Sequence, residues 1–148
     1  MPRHPQRSGQ PIEAFAVRFS AHVHAVPETR RRFVGWMRGA DVEDGVVDDL
    51  EVVFSELAAN AGAASPEPTD EVRVRCQLDE GNLVLQVSNR TDDQDGTVAL
   101  AVPDLDDPLR PNGRGLLIAR AFVDTVEIEV EPPDRIVVRC CRRLTATG

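Results

Sequence analysis

Residues 54–61 read Phe-Ser-Glu-Leu-Ala-Ala-Asn-Ala and lie within a run, 46–64, whose apolar side chains recur every three or four positions. That spacing predicts a helix with one buried face. Glu56 and Asn60 are four residues apart, so they share a face of this helix, beside the apolar stripe at the edge of the core. An amide oxygen is a suitable ligand for Mg²⁺, and a carboxylate can accept a proton from an attacking hydroxyl. The pair predicts either a Mg²⁺-dependent site or two polar residues that face solvent.

Composition limits the classes of protein to which the chain can belong. The 148 residues are 41% hydrophobic and 28% charged, which is typical of one soluble domain. The net charge of −8 argues against direct binding of nucleic acid, because phosphate backbones require a positive surface. No apolar run is long enough to span a membrane, and the N-terminus lacks the apolar core of a signal peptide, so we expect a cytoplasmic protein. The three cysteines form no recognisable disulfide or metal framework, and we expect them to pack in the core.

The remaining pattern predicts an α+β domain. Residues up to about Pro11 are typical of a disordered tail, which leaves one domain over residues 12–145. Helices are predicted at 27–39, 46–64 and 116–123, and strands at 14–26, 72–78, 83–87, 126–130 and 136–141. Strands joined by hairpins, together with helices that stack on one face, indicate a two-layer sandwich.

A second candidate site element follows a long irregular segment. Residues 90–112 are rich in Asp, Pro and Gly, and loops of this length are usually functional lids. Gly113-Arg114-Gly115-Leu116 comes next, at a predicted junction between loop and helix. Glycines there let the backbone approach a ligand, and exposed N–H groups favour an anion. A Gly-x-Gly alone is weak evidence, but a preceding helix with Glu56 and Asn60 makes it much stronger.

With these motifs the chain resembles the GHKL superfamily of ATPases and kinases, and more closely the small bacterial anti-sigma factor serine kinases. The resemblance covers nearly everything after the tail. It rests on Val26-Pro-Glu-Thr-Arg30, Glu56-Leu-Ala-Ala-Asn60-Ala61, Val87-Ser-Asn89 and Gly113-Arg-Gly-Leu-Leu-Ile-Ala-Arg-Ala-Phe-Val-Asp124. It implies a histidine kinase-like ATP-binding domain with the GHKL (Bergerat) fold, whose mixed, mostly antiparallel sheet carries helices on one face.

The resemblance also implies roles for individual residues, with ATP and Mg²⁺ as cofactors. Asn60 would bind Mg²⁺ and nucleotide, Glu56 would act as the catalytic base, and Asn89 would accept a hydrogen bond from the adenine amino group. The nucleotide-binding set would be completed by Gly113, Arg114, Gly115 and Leu116. Catalysis would then consist mostly of positioning and charge neutralisation, as phosphoryl transfer requires.

Four features depart from the family's pattern. Asn89 stands where the family usually has Asp, so it can accept a hydrogen bond but without charge assistance. Arg90 and its successors replace a Gly-x-Gly, and we expect their side chains to obstruct the adenine pocket. Asp134-Arg135-Ile136 stands where a Gly-Thr commonly precedes the last strand and helps to bind adenine through water, and Ala64 replaces a frequent histidine. The residues expected to contact adenine therefore differ from the family's pattern, whereas those expected to contact the metal and the phosphates follow it.

Two functions remain open at this point. In the first, the protein is an ATP-dependent serine kinase of a partner-switching system, which binds a sigma factor and phosphorylates a serine of an antagonist protein. In the second, it is a degenerate, non-catalytic relative that regulates by binding protein, with weak or no nucleotide binding. Retention of Glu56 and Asn60 favours the kinase, and the altered adenine side favours the regulator. The resemblance also allows a homodimer.

Overall fold

A computed structural model describes residues 12–21, 26–91 and 111–144, without the side chains of 111–115. The predicted tail, residues 22–25 of the first predicted strand and most of the predicted lid lie outside these residues, and Val26, predicted to end that strand, begins a helix instead. What the structure describes is therefore the sheet, the helices and the turns that connect them.

The described residues form one sheet and three helices. The strands are β1 (Phe15–Ser20), β2 (Glu71–Asp79), β3 (Asn82–Arg90), β4 (Thr125–Glu131) and β5 (Arg135–Arg143), and the helices are α1 (Val26–Gly39), α2 (Asp44–Ala64) and α3 (Pro111–Phe122). The sheet order is β1-β2-β3-β5-β4, and each of these pairings is antiparallel. None of the described helices has the length and apolar character that crossing a bilayer requires. The predicted α+β sandwich of the GHKL type is confirmed.

Strict alternation in β2 and β3 separates the two faces of the sheet. Val72, Val74 and Cys76 are buried, whereas Arg73 and Arg75 between them are exposed, because successive side chains of a strand point to opposite faces. The turn between β2 and β3 places Glu80 and Gly81 at φ 49° and 82°, which is the left-handed backbone that short hairpins favour.

The core lies between the sheet and the helices, and aromatic rings connect the layers. The Phe33 ring of α1 lies 5.3 Å from the Phe15 ring of β1 and 5.3 Å from the Phe54 ring of α2. One whole stripe of α2 is buried: Val46, Val47, Leu50, Val53, Phe54, Leu57, Ala58 and Ala61. This packing fixes the rotation of α2, so the stripe that contains Glu56 and Asn60 lies beside the core, as predicted.

Two of the three cysteines occupy core positions, whereas Cys141 does not, contrary to the prediction that all three pack in the core. Cys76 and Cys140 are buried and Cys141 is half-buried, and all three are free thiols. Burial raises the pKa of the Cys140 thiol to about 12, and it raises that of Cys76 as well. Both buried thiols therefore stay protonated at neutral pH and act as small apolar residues.

Helix α3 begins earlier than the sequence predicts. The predicted helix starts at residue 116, after a glycine-containing loop, but the structure begins the helix at Pro111. Proline suits the first turn of a helix, because it lacks an N–H group that would have no partner there. At the other end, Arg142 Nη1 donates hydrogen bonds to Phe122 O at 2.6 Å and to Asp49 Oδ2 at 2.8 Å. Arg142 thereby connects the end of α3 to α2 and β5.

Candidate functional site

One cavity brings several of the predicted site residues together. It lies between α2 and the sheet and holds about 90 Å³, whereas a single buried water needs roughly 10–15 Å³. Its walls are formed by Leu57, Asn60, Ala61 and Ala64 of α2, Val87 and Asn89 of β3, Thr91, Leu116 of α3, Ile128 of β4, and Ile136 and Val138 of β5. The lining is mostly apolar with a few polar groups, which is the usual composition of small-molecule sites.

Asn60 supplies a polar group on the helical wall of the cavity. It is half-buried near the C-terminal end of α2, and its neighbours Leu57 and Ala61 line the same cavity. Within the described part of the chain no hydrogen bond engages its side-chain amide. A half-buried amide of this kind is available to a ligand, either as an oxygen ligand for a cation or as a hydrogen-bonding group.

Glu56 lies one turn before Asn60 on the same face of α2. It is half-buried and engaged in an interaction of its own, and it does not line the cavity. Four residues of helix correspond to a rise of about 6 Å. The carboxylate therefore lies beyond the cavity along the axis of α2, on the face that it shares with Asn60.

Asn89 supplies a polar group on the opposite, sheet side of the cavity. The residue is only 8% exposed, and its Nδ2 donates a hydrogen bond to the backbone O of Arg90 at 2.8 Å. Because a carbonyl can only accept, this bond fixes which side of the amide is occupied, and no donor from the described residues engages Oδ1. Ile136 lies directly opposite on β5 and also lines the cavity, so Asn89 has an apolar neighbour there.

The Arg90 side chain does not obstruct the cavity, contrary to the sequence-based expectation. Its Nε donates a hydrogen bond to Asp70 Oδ1 at 2.9 Å, and its Nη1 lies 3.9 Å from Asp134 Oδ2. Since Asn89 faces the cavity, its neighbour Arg90 must face the other side of the strand. Of the residues that replace Gly-x-Gly, Thr91 does line the cavity, and the next ones lie outside the described residues.

Asp70, Arg90 and Asp134 together hold the end of β3 beside the cavity. The hydrogen bond from Arg90 lowers the pKa of the Asp70 carboxyl, and the Glu67 N–H contributes in the same direction. Thr91 N also donates to Asp134 O at 2.7 Å. The position of Asn89 therefore depends on ion pairs that lie on the far face of the sheet.

These ion pairs predict a pH dependence of stability. The folded pKa of Asp70 is lowered from its usual value of 3.8, so the Asp70 carboxylate stabilises the fold above that pH, and this contribution is lost as the pH falls through the lowered value. We expect Asp70→Asn to be less stable than the wild type at neutral pH and to approach it in acid. Urea unfolding over a series of pH values measures the difference. Asp79→Asn, at an exposed position of β2, is the control, and a difference that persists in acid would assign the effect to something other than this ion pair.

The first turns of α3 lie next to the cavity. Leu116 is 8% exposed and lines it, and Gly113, Arg114 and Gly115 precede Leu116 directly within the helix. A helix rises about 1.5 Å per residue, so the backbone of these three residues lies within about one turn of the cavity. The N-terminal N–H groups of a helix favour anions. The motif thus belongs to the beginning of a helix and not to a loop before it.

The arrangement fits a magnesium nucleotide. Among the described residues, no group of three or more His, Cys, Asp or Glu could hold a metal ion. Mg²⁺ does not need such a group, because it commonly takes one or two protein ligands together with waters and phosphate oxygens. Asn60 could provide one such oxygen, the start of α3 could bind phosphate, and the apolar walls with Asn89 could hold a flat base.

Sequence reasoning did not identify most of the cavity walls. Several wall residues could be recognised from the sequence only as core positions, because their role depends on which strands become neighbours. They are Leu57, Ala61, Val87, Ile128 and Val138. The alternation of β3 gave a usable signal, since Val87 and Asn89 are two residues apart and must share a face. Ile136 and Ala64 were noted as departures from the family's pattern, and both do line the cavity.

Comparisons with known proteins identify the family and the fold of the chain. The sequence profile of the histidine kinase-like ATPase domain matches residues 19–140. No curated protein matches the chain. Among solved structures, the RsbU and RsbW domains of Rv1364c from Mycobacterium tuberculosis match with a TM-score of 0.68 and 16% identity over 92% of this chain, which corresponds to 34% of that longer chain. The SiaB-SiaC complex from Pseudomonas aeruginosa matches with a TM-score of 0.70 and 14% identity over 91% of both chains.

Proposed function

The chain belongs to the histidine kinase-like ATPase domain family, and from that premise we propose that it binds ATP with Mg²⁺ in the cavity between α2 and the sheet. One observation carries the proposal: Asn60, Asn89 and Leu116, which come from three distant parts of the sequence, line the same cavity. In this proposal Asn60 is the magnesium ligand and Asn89 Oδ1 accepts a hydrogen bond from the adenine amino group. The start of α3 binds the phosphates.

We further propose that the bound ATP is used to phosphorylate a serine of an antagonist protein. The Glu56 carboxylate takes the proton of the serine hydroxyl, the serine oxygen forms a bond to the γ-phosphorus, and the bond from that phosphorus to the ADP oxygen breaks. Bound Mg²⁺ supplies neutralisation of phosphate charge. The products are ADP and phosphoserine, and the added negative charge alters which partner the antagonist binds.

We propose a protein partner from the solved structures of similar fold. Two proteins of similar fold are described as the RsbU and RsbW domains of Rv1364c and as the SiaB-SiaC complex, which supports a protein partner for this chain. We propose an antagonist protein, a sigma factor or both.

Incubation with ATP and Mg²⁺ tests the kinase directly. The purified chain is mixed with candidate antagonist proteins from the same genome, and each is analysed by intact mass spectrometry and by phosphoserine mapping. We expect one antagonist to gain a single phosphate on serine only when ATP, Mg²⁺ and the chain are all present. Two results would contradict the kinase step. One is phosphate that appears on the antagonist in the absence of the chain, and the other is ATP binding to the chain with no phosphate on any candidate.

A non-catalytic regulator is the second candidate function. A specific observation favours it: the adenine side of the cavity has neutral Asn89 and apolar Ile136, where the family usually has a carboxylate and a Gly-Thr. Under this alternative the chain would bind a partner protein equally well with and without ATP. A binding assay with the partner, repeated with ADP, ATP and no nucleotide, separates the two functions.

The Asn89→Leu variant tests how the base is recognised. Leucine has a similar size but no acceptor, and removal of one buried hydrogen bond costs roughly 1–2 kcal/mol. We expect ATP affinity to fall by roughly tenfold, measured by competition with a fluorescent ATP analogue. Asn82→Leu, at the other end of β3, makes the same chemical change away from the cavity and should leave the affinity unchanged. Equal affinities of the two variants would place the adenine amino group elsewhere.

A further inference from the structure

Polar contacts hold the C-terminal end of α3 against two other elements of the fold. Arg142 lies on the helix-facing side of β5, and its side chain is half-buried. Its Nη1 donates one hydrogen bond to the carbonyl of Phe122, the last residue of α3, and another to Asp49 Oδ2 of α2. Each terminal nitrogen of a guanidinium carries two hydrogens, which is one for each acceptor. A single nitrogen atom therefore joins α3 to α2.

The backbone that follows α3 is attached to β5 as well. Asp124 N donates a hydrogen bond to Cys141 O at 2.8 Å, and Arg143 N donates one to the Asp124 carboxylate. Hydrogen bonds have a narrow range of distance and angle. While these bonds and those of Arg142 are intact, the C-terminal end of α3 can move little along its own axis.

The apolar contacts of α3 determine its rotation more than its axial position. Among the described side chains of α3, Leu116 and Ala119 are buried, and Ile118 and Phe122 are half-buried. The Ala119 side chain is a single methyl group, which cannot interlock with α2, and apolar contact is non-directional. We therefore expect the directional contacts of Arg142 to set how far α3 extends along α2.

The opposite ends of α2 and α3 carry the proposed metal and phosphate contacts. Asn60 follows Asp49 by about 16 Å of helix, and Gly113 precedes Phe122 by about 14 Å. From this arrangement we infer that Arg142 and Asp49 are positioning residues, which keep the phosphate-binding start of α3 at a fixed distance from the magnesium ligand Asn60. This positioning role rests on the proposed function, since it requires the phosphates to lie at the start of α3.

Loss of the Arg142 contacts is expected to act on the phosphates and not on the base. A helix is a rigid element, so a shift of α3 at its C-terminal end moves its first turn as well. A misplacement of about 1 Å is already costly at a positioned site. The proposed adenine contact, Asn89, belongs to the sheet and pairs with Ile136 of β5, so it keeps its place when α3 shifts. Adenosine, which has no phosphates, should therefore bind as before.

The ratio of ATP affinity to adenosine affinity tests this positioning role. Arg142→Gln has a shorter side chain that cannot bridge both acceptors. We expect its ATP affinity with Mg²⁺ to fall by roughly tenfold and its adenosine affinity to stay within about twofold of the wild type, both measured by calorimetric titration. Asp49→Ala removes the acceptor on α2 and should change the ratio in the same direction. Asp49→Asn keeps an acceptor oxygen on a side chain of the same size and should retain most of the wild-type ratio.

The matched control is Arg143→Gln, which makes the same chemical change one residue later, at an exposed position. It should leave both affinities unchanged. Circular dichroism verifies the fold of every variant, and Asp49→Ala carries the test if Arg142→Gln does not fold.

The possible failures are distinguishable. Equal losses of ATP and adenosine affinity in Arg142→Gln would show a general structural role and overturn the positioning role, and so would an unchanged ratio in a variant of a chain that does bind ATP. A wild type that binds no ATP would overturn the proposed function, and the positioning role with it.

Discussion

The Glu56→Gln variant is expected to lose phosphoryl transfer by roughly 10²–10⁴-fold, the usual contribution of a general base. Glutamine keeps the size and hydrogen-bonding ability of the side chain but cannot take the proton of the attacking hydroxyl. Because Glu56 does not line the cavity, ATP affinity should stay within about twofold of the wild type. The measurement is the rate at which phosphate appears on the antagonist protein, with ATP affinity determined in parallel.

A matched variant separates this effect from a general effect of charge. Glu28→Gln removes a carboxylate from an exposed position of α1 and should leave the rate unchanged. A Glu56→Gln variant that transfers phosphate at the wild-type rate would exclude Glu56 as the base. If ATP affinity fell instead of the rate, Glu56 would have a role in nucleotide binding.

The Asn60→Ala variant is expected to weaken binding of ATP in the presence of Mg²⁺ by roughly 100-fold, which corresponds to about 2.8 kcal/mol. Alanine removes the one amide oxygen that α2 presents at the cavity wall and leaves the apolar lining intact. The loss should be much smaller without Mg²⁺, because Asn60 is proposed to act mainly through the metal ion. Calorimetric titrations of wild type and variant, each with Mg²⁺ and with a chelator, measure the four affinities.

Asn60→Asp is the conservative counterpart, since its carboxylate also offers an oxygen to Mg²⁺. We expect it to keep most of the Mg²⁺-dependent affinity that Asn60→Ala loses. Equal losses in both variants, or a loss in Asn60→Ala that is the same with and without Mg²⁺, would show that Asn60 acts on the nucleotide by another route. Thermal unfolding of each variant verifies that the fold is unchanged.

Local patterns were sufficient to predict the elements that build the cavity. The apolar spacing over 46–64 predicted α2 and the side on which Asn60 lies, because the packing of α2 is one-sided. Alternation predicted β2 and the part of β3 up to Val87, and the direction of Asn89 follows only because the strand continues to Arg90. The sequence alone did not show that Arg90 would face away from the cavity, where Asp70 and Asp134 hold it. These partners are distant in the chain and depend on tertiary structure.

Other features could not be predicted from local patterns, because they depend on strand order or on tertiary packing. The glycines of Gly113-Arg114-Gly115 favoured a loop, yet the helix already starts at Pro111, because packing of Leu116 and Ala119 into the core outweighs the low helix propensity of glycine. The order of the strands could not be predicted either, since β5 inserts between β3 and β4. Adjacent hairpins can be read from sequence, but that insertion cannot.

The residues at the proposed adenine site decide between the two candidate functions. Relative to the usual family pattern, neutral Asn89 gives up a charge-assisted bond, which lowers the expected affinity for ATP. Against this, the fixed orientation of the Asn89 amide presents an acceptor without the need to reorient a side chain, and the Arg90 side chain leaves the cavity open. These two observations support nucleotide binding over the degenerate alternative.

Calorimetric titration of the wild-type chain with ATP, with Mg²⁺ and then with a chelator, tests the central claim most directly. The account predicts saturable binding of one ATP per chain with Mg²⁺ and much weaker binding without it. Absence of any binding signal up to millimolar ATP, from a chain that circular dichroism shows to be folded, would contradict the account and leave the protein-binding regulator.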